Sequence, residues 1–286
     1  MVVLLLSGCA APMAGLHGAR TAPAGAVEIV GGVSLHLDSA FVGGTIGAGR
    51  IIAEEAAASV NQGEVPPLST DQQDALARAA LAWALANPAP IWQGGGRVGL
   101  PGGFEVGAAL STSGPMGHIA WQLLDVDDGE SPVDVTVALQ VQHQSFGLGL
   151  PGPVAQVLRL DDLSRTDLIV PIIAGVDLDQ AGFVYVGAKG VYSRVEAQLV
   201  ERLTAVAGVE TDLAGPVWGG GAFAGGALGW KYIYLVGELN LLVWHTSPEF
   251  LGRELPITSV ELVPALALQI NFYDPGRRHP DRNPNP

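Results

Sequence analysis

From residue 260 to 272 every second residue is apolar. Val260, Leu262, Pro264, Leu266, Leu268, Ile270 and Phe272 share one side, and Glu261, Ala265, Ala267, Gln269 and Asn271 take the other. A period of two is the signature of a β-strand, whose successive side chains point to opposite faces. The pattern recurs. Val133, Val135, Val137, Leu139 and Val141 oppose Asp134, Thr136, Ala138 and Gln140. Phe104, Val106, Ala108 and Leu110 oppose Glu105, Gly107, Ala109 and Ser111, and Ile119, Trp121 and Leu123 oppose His118, Ala120 and Gln122. Ile233, Leu235, Leu239, Leu241 and Val243 oppose Tyr234, Glu238, Asn240 and Leu242. Residues 27–37 repeat it more weakly, with Glu28, Ser34 and His36 on the polar side.

Two folds satisfy this alternation. A soluble β-sandwich buries the apolar face and shows Lys, Glu, Arg and Thr to water. A transmembrane barrel shows the apolar face to lipid and crowds the other face inside. Here the second face is mostly Gly, Ala, Ser and Gln with isolated charges, which suits a narrow interior. The chain is 48% hydrophobic and only 15% charged, with mean hydropathy +0.33 and 39 glycines. After the first dozen residues no stretch approaches the roughly 18 apolar residues of a membrane helix. The expected fold is all-β, an antiparallel transmembrane β-barrel of about 8–10 strands, with a soluble sandwich as the alternative. Arg97, Glu105, Glu238 and Glu261 take inward parity and are the expected lumen charges. Trp92, Trp121, Trp218, Trp230 and Trp244, with Tyr232 and Tyr234, are candidates for interfacial girdles.

Residues 97–107, Arg-Val-Gly-Leu-Pro-Gly-Gly-Phe-Glu-Val-Gly, read as strand, tight turn and strand, and the last strand ends in Phe272. In these features the chain resembles bacterial outer-membrane β-barrel proteins, which close with a strand ending in an aromatic residue. Residues 273–286, rich in Pro, Arg and Asn, follow that strand here and are expected to be a disordered tail. The resemblance implies an even strand number, with both chain ends in the periplasm.

At the start of the chain an apolar run enters Leu6-Ser7-Gly8-Cys9, which contains the only cysteine. This stretch resembles the lipobox of bacterial lipoproteins. The resemblance implies that residues 1–8 are a signal peptide, short at its start, and that Cys9 is acylated. Residues 9–26, rich in Ala, Gly and Pro, then read as a flexible tether, and Ala10 after the cysteine implies an outer-membrane destination. The barrel domain is expected over 27–272. Within it a helical insertion spans 51–88, where Ser69-Thr70-Asp71-Gln72 forms a capping box and Asn87-Pro88 ends the helical pattern. It is expected to be a periplasmic hairpin.

Chemistry-bearing motifs are few. A net charge of −14 and a pI near 4.6 exclude a nucleic-acid partner. The six histidines have no metal-ligand spacing, Asp125, Asp127, Asp128 and Glu130 miss the spacing of a calcium loop, and no phosphate loop is present, so no metal or cofactor is expected. His143-Gln144-Ser145 and His245-Thr246-Ser247 each place a histidine and a serine on one strand face. His143 with Ser145, or His245 with Ser247, would resemble the site of outer-membrane lipid A deacylases, the histidine serving as general base. The favoured expectation is a non-enzymatic outer-membrane lipoprotein barrel that permeates small solutes or has a structural envelope role. Its partners would be outer-membrane lipid and small solutes. A lipid hydrolase and a partner-binding periplasmic sandwich are the alternatives.

Overall fold

The computed structural model describes residues 15–40, 42–43, 47, 50, 69, 71, 74–75, 78, 90–126, 133–148, 158–178, 181–201, 210–247, 249–250 and 253–273. Thirteen strands run in chain order: β1 (Val27–Ser34), β2 (Leu37–Asp38), β3 (Ile91–Leu100), β4 (Phe104–Ser111), β5 (Gly114–Val126), β6 (Val133–Leu148), β7 (Leu158–Asp177), β8 (Gly182–Glu201), β9 (Glu210–Trp230), β10 (Ile233–Thr246), β11 (Glu249–Phe250), β12 (Arg253–Glu254) and β13 (Ile257–Asn271). The long strands pair antiparallel with their chain neighbours, and β1 pairs with β13, from Glu28 opposite Asn271 to Ser34 opposite Ala265. That pairing closes the sheet into a ten-stranded barrel and removes its edges. The short β2 continues the line of β1 along β13, and β11 and β12 form a small separate hairpin.

The alternation sorts into an apolar outside and an inside that carries the buried polar and charged side chains together with apolar ones. On β10, Ile233, Leu235, Leu239, Leu241 and Val243 are exposed while Tyr234, Val236, Glu238, Asn240 and Leu242 are buried. Leu110 and Leu228 are each 70% exposed, whereas Glu105, Thr136, Gln142 and Asp167 are fully buried. Closure and this distribution exclude the sandwich, because a sandwich would have put the same apolar residues in its core. The fold is a transmembrane β-barrel.

Large inward side chains have small neighbours on the adjoining strands. Glu238 lies between Gly225 and Ala265, Trp244 between Gly219 and Ser259, and Tyr185 between Gly175 and Gly225. A Cβ at Gly219 would enter the Trp244 ring, and one at Gly225 would enter that of Tyr185. Much of the glycine in β9 therefore makes room for the lumen side chains of β8 and β10.

Aromatic residues gather at two levels of the outer wall. Phe104 stacks on Trp121 with centroids 5.7 Å apart, at the end where Trp230, Tyr232 and Phe272 are also exposed. Towards the other end Trp92 and Trp218 are exposed, and Tyr192 lies against Trp218 at 4.5 Å. Trp218 and Trp230 both face outward on β9, twelve residues apart. At about 3.4 Å per residue and a tilt of about 45°, that separates the two levels by about 29 Å, close to the hydrocarbon thickness of a bilayer. Just past the second level, Arg194 and Glu196 pair at 2.8 Å on the exterior. Trp244 and Tyr234, expected in the girdles, instead point inward, because their parity on β10 is that of Glu238 and Asn240.

Both described ends of the barrel sequence, Val27 and Asn271, lie at one mouth, and the short turns 101–103 and 231–232 lie there too. The opposite mouth carries the longer connections 149–157, 202–209 and 247–256 and the insertion that leaves β2 and returns at Ile91. One strand separates the insertion from the N-terminal mouth, so it emerges on the side opposite the termini. The expected placement of a helical hairpin on the same side as the termini is corrected accordingly. Most of 51–88 lies outside the described residues, as do 1–14, with the signal peptide and Cys9, and the tail from 274.

The largest departure from the sequence reading concerns the tether. Residues 15–26 run into the barrel, buried over 16–22 except at Arg20, with Ala24 and Gly25 exposed at the mouth. Leu16, His17, Ala19, Thr21 and Ala22 are buried, Leu16 among Ala227, Tyr234, Val236, Ala265 and Ala267, and Ala19 among Ile173, Tyr185 and Phe223. Small residues that read as a flexible linker are here the ones that fit between facing walls.

Candidate functional site in the barrel lumen

The four sequence-predicted lumen charges all point inward. Glu238 is the seat of the N-terminal segment: its Oε1 and Oε2 accept the backbone N–H of Gly15 and Leu16, each at 3.0 Å, and Oε2 also accepts the Tyr185 hydroxyl at 2.7 Å. Lys189 stands 3.9 Å from the same carboxylate, donates to Asn240 Oδ1 at 2.5 Å and lies 4.5 Å over the Phe223 ring.

Arg97 and Glu105 belong to a second cluster near the N-terminal mouth. Arg97 pairs with Glu28 directly across the β1/β3 register, its Nε donating at 2.5 Å, and Tyr273 donates to the same Glu28. Arg97 Nε lies 3.8 Å from Glu105 Oε1. Glu105 also faces two imidazoles, His17 Nε2 at 2.7 Å and His118 Nε2 at 3.2 Å, and its Oε2 accepts the Ala22 N–H at 2.8 Å. A cavity of about 50 Å³ adjoins this cluster, bordered by His17, Arg97, Met116, His118 and Gln140.

Further contacts hold the segment to the wall. Arg20 Nε donates to Asp134 at 3.0 Å, Thr21 Oγ1 to Gln122 Oε1 at 3.0 Å, and Thr136 Oγ1 to the Ala19 carbonyl at 2.5 Å. At Gly99 the wall admits the segment most closely, since a Cβ there would collide with the Ala22 and Pro23 carbonyl oxygens. Gly25 N–H donates to the Gly99 carbonyl at 2.8 Å.

Glu261 lies in a third cluster, towards the far mouth. It accepts Trp244 Nε1 at 2.6 Å and meets His36 Nδ1 at 2.5 Å. Trp244 in turn has Arg165 5.4 Å from its ring centroid, and Arg165 pairs with Asp167 at 2.7 Å. Parity in the sequence already marked Glu28, His118 and Asp134 as polar-face residues. Arg165, Asp167 and Lys189 lie in the stretch where alternation is weakest, and His17 lies where a tether was expected.

The paired motifs lie elsewhere. His143 and Ser145 are exposed on the outer wall of β6, and His143 Nδ1 meets Thr166 Oγ1 at 3.0 Å. His245 and Ser247 are likewise exposed at the far end of β10, with His245 Nδ1 3.0 Å from Thr258 Oγ1. In each motif the histidine engages a threonine on the neighbouring strand, in the zone where Arg194 and Glu196 begin the polar exterior.

No family model matches the chain, and no curated protein matches it. Among solved structures it is similar to the CymD monoaromatic hydrocarbon channel, with 8% identity, 88% of this chain and 90% of that chain covered, and a TM-score of 0.29.

Proposed function

We propose that this protein is a non-enzymatic outer-membrane barrel for passive permeation of small polar solutes, with residues 15–26 closing the lumen as a plug. The observation that carries this reading is how the plug is held. Its backbone is bound by wall carboxylates, Glu238 and Glu105, rather than by strand pairing along its length. Such polar contacts exchange for water at modest net cost, about 0.5–1.5 kcal/mol each, so the lumen can hydrate when the segment leaves. Short turns at the mouth of the termini and longer connections at the other support a periplasmic N-terminus. Acylation of Cys9 would then tie the N-terminus to the periplasmic leaflet.

A structural envelope role is the second reading, favoured by the ties from Glu238 to Tyr185 and from Lys189 to Asn240, which bridge β10 and β8 over β9 on the lumen side. Conductance in a planar bilayer separates the two. The permeation reading expects brief, small openings from the full chain and steady conductance, at least tenfold higher on average, from a variant lacking residues 1–26. A silent truncated barrel that still shows the folded band on an unheated gel would overturn it.

A further inference from the structure

We propose that His17, Glu105 and His118 form a binding site for a divalent transition metal, with zinc the best match, joining the N-terminal segment to the barrel wall. The three ligand atoms converge although they come from the plug, β4 and β5. The two Nε2 atoms and Glu105 Oε1 lie within 4.8 Å of one another, and the rings of His17 and His118 are nearly perpendicular, at 84°. Two imidazoles and one carboxylate are a familiar zinc donor set, with bonds of about 2.0–2.2 Å that place tetrahedral ligands about 3.3 Å apart. The pair Glu105 and His118 stands at 3.2 Å, and the pair Glu105 and His17, at 2.7 Å, needs to open by about half an ångström to receive the ion.

Four features of the surroundings favour a cation. His17 Nδ1 donates to the Gly18 carbonyl. In a neutral ring this directs the Nε2 lone pair at Glu105, so two acceptors face each other, and a metal between them resolves the conflict. The second-nitrogen bond to a carbonyl is also how metal-bound histidines are oriented. Ala22 N–H fixes Glu105 through its other oxygen, so that Oε1 is held towards the two imidazoles. Charge points the same way. Glu28 and Glu105 share one guanidinium, Arg97, so with neutral imidazoles the buried cluster carries a net negative charge. Space is built in as well: a Cβ at Gly107 would collide with the His118 ring, and the neighbouring cavity has room for water as a fourth ligand.

The site stands independently of permeation and is tested by binding. Tag-free full-length protein, refolded in detergent and freed of metal by chelator, is titrated calorimetrically with zinc chloride and, separately, with cobalt chloride read by visible absorption. One equivalent of zinc is expected, with a tetrahedral cobalt spectrum and at least tenfold weaker affinity in H17Q and in H118Q. His17 belongs to no strand, so H17Q keeps the barrel intact, and unchanged heat-shifted migration verifies that. Absence of zinc uptake by the folded protein, or uptake by both variants undiminished from that of the unaltered chain, would overturn the site.

Discussion

Glu238 shows how much one lumen side chain can organise. Its two oxygens serve Gly15, Leu16 and Tyr185, and these partners belong to the plug and to β8. Replacing it by alanine removes every one of those acceptors and leaves two plug N–H groups without their partner. Each orphaned donor costs about 1–3 kcal/mol where water is excluded. In E238A, amide exchange at Leu16 should therefore speed up by roughly ten- to a hundredfold, while amides of β13 keep their protection. Equal acceleration in plug and strands would mean that Glu238 supports the barrel rather than the segment. At this scale the sequence was readable where parity existed. Arg97, Glu105, Glu238 and Glu261 could be assigned inward from alternation alone. Their partners could not, because Glu238 meets Gly15 across 223 residues and Glu105 meets His17 across 88. Trp244 and Tyr234 are girdle candidates by residue type alone, whereas their parity is that of the inward Glu238 and Asn240.

Among the elements, β10 carries the clearest alternation, and both of its faces have definite surroundings. Leu241 is exposed on the outer wall between the two aromatic levels. An arginine there must enter lipid, at a cost of about 2–4 kcal/mol near the midplane. L241R should lower the unfolding free energy in lipid vesicles by that amount in urea titrations, whereas L241A should cost less. A negligible effect of L241R would place β10 outside the hydrocarbon. Strands such as β10 and β13 were legible because one face is uniformly apolar. The stretch covering β7 to β9 was not, because the small residues of β9, Gly219 to Gly221 and Gly225 to Gly226, carry no contrast between faces. The plug was least legible of all. Ala, Gly and Pro at 18–26 have the composition of a linker, and only a surrounding wall makes that composition a packing solution.

Over the described residues the molecule is a barrel with an apolar outer wall and an interior that holds the buried polar and charged side chains. It should remain folded only in detergent or lipid and migrate faster on an unheated gel than after boiling, with or without residues 1–9. Solubility without detergent and an unchanged band would contradict the outward placement of the apolar face. Barrel class and the inward charges followed from period and parity, and an even number of strands from the resemblance, with both chain ends on one side. The location of the insertion required counting crossings, and the contents of the lumen required the fold itself.

Because the plug runs directly into β1 and is pinned at Gly99, leaving the lumen does not release it into solution. A freed segment stays within a few residues' length of its seat, at an effective concentration of the order of millimolar. Reclosure is then a first-order event, with a rate set by the linker and the seat and unaffected by how many copies of the protein the membrane holds. Shortening the stay of the segment in the lumen requires weakening the seat, and lengthening its absence requires a longer hinge.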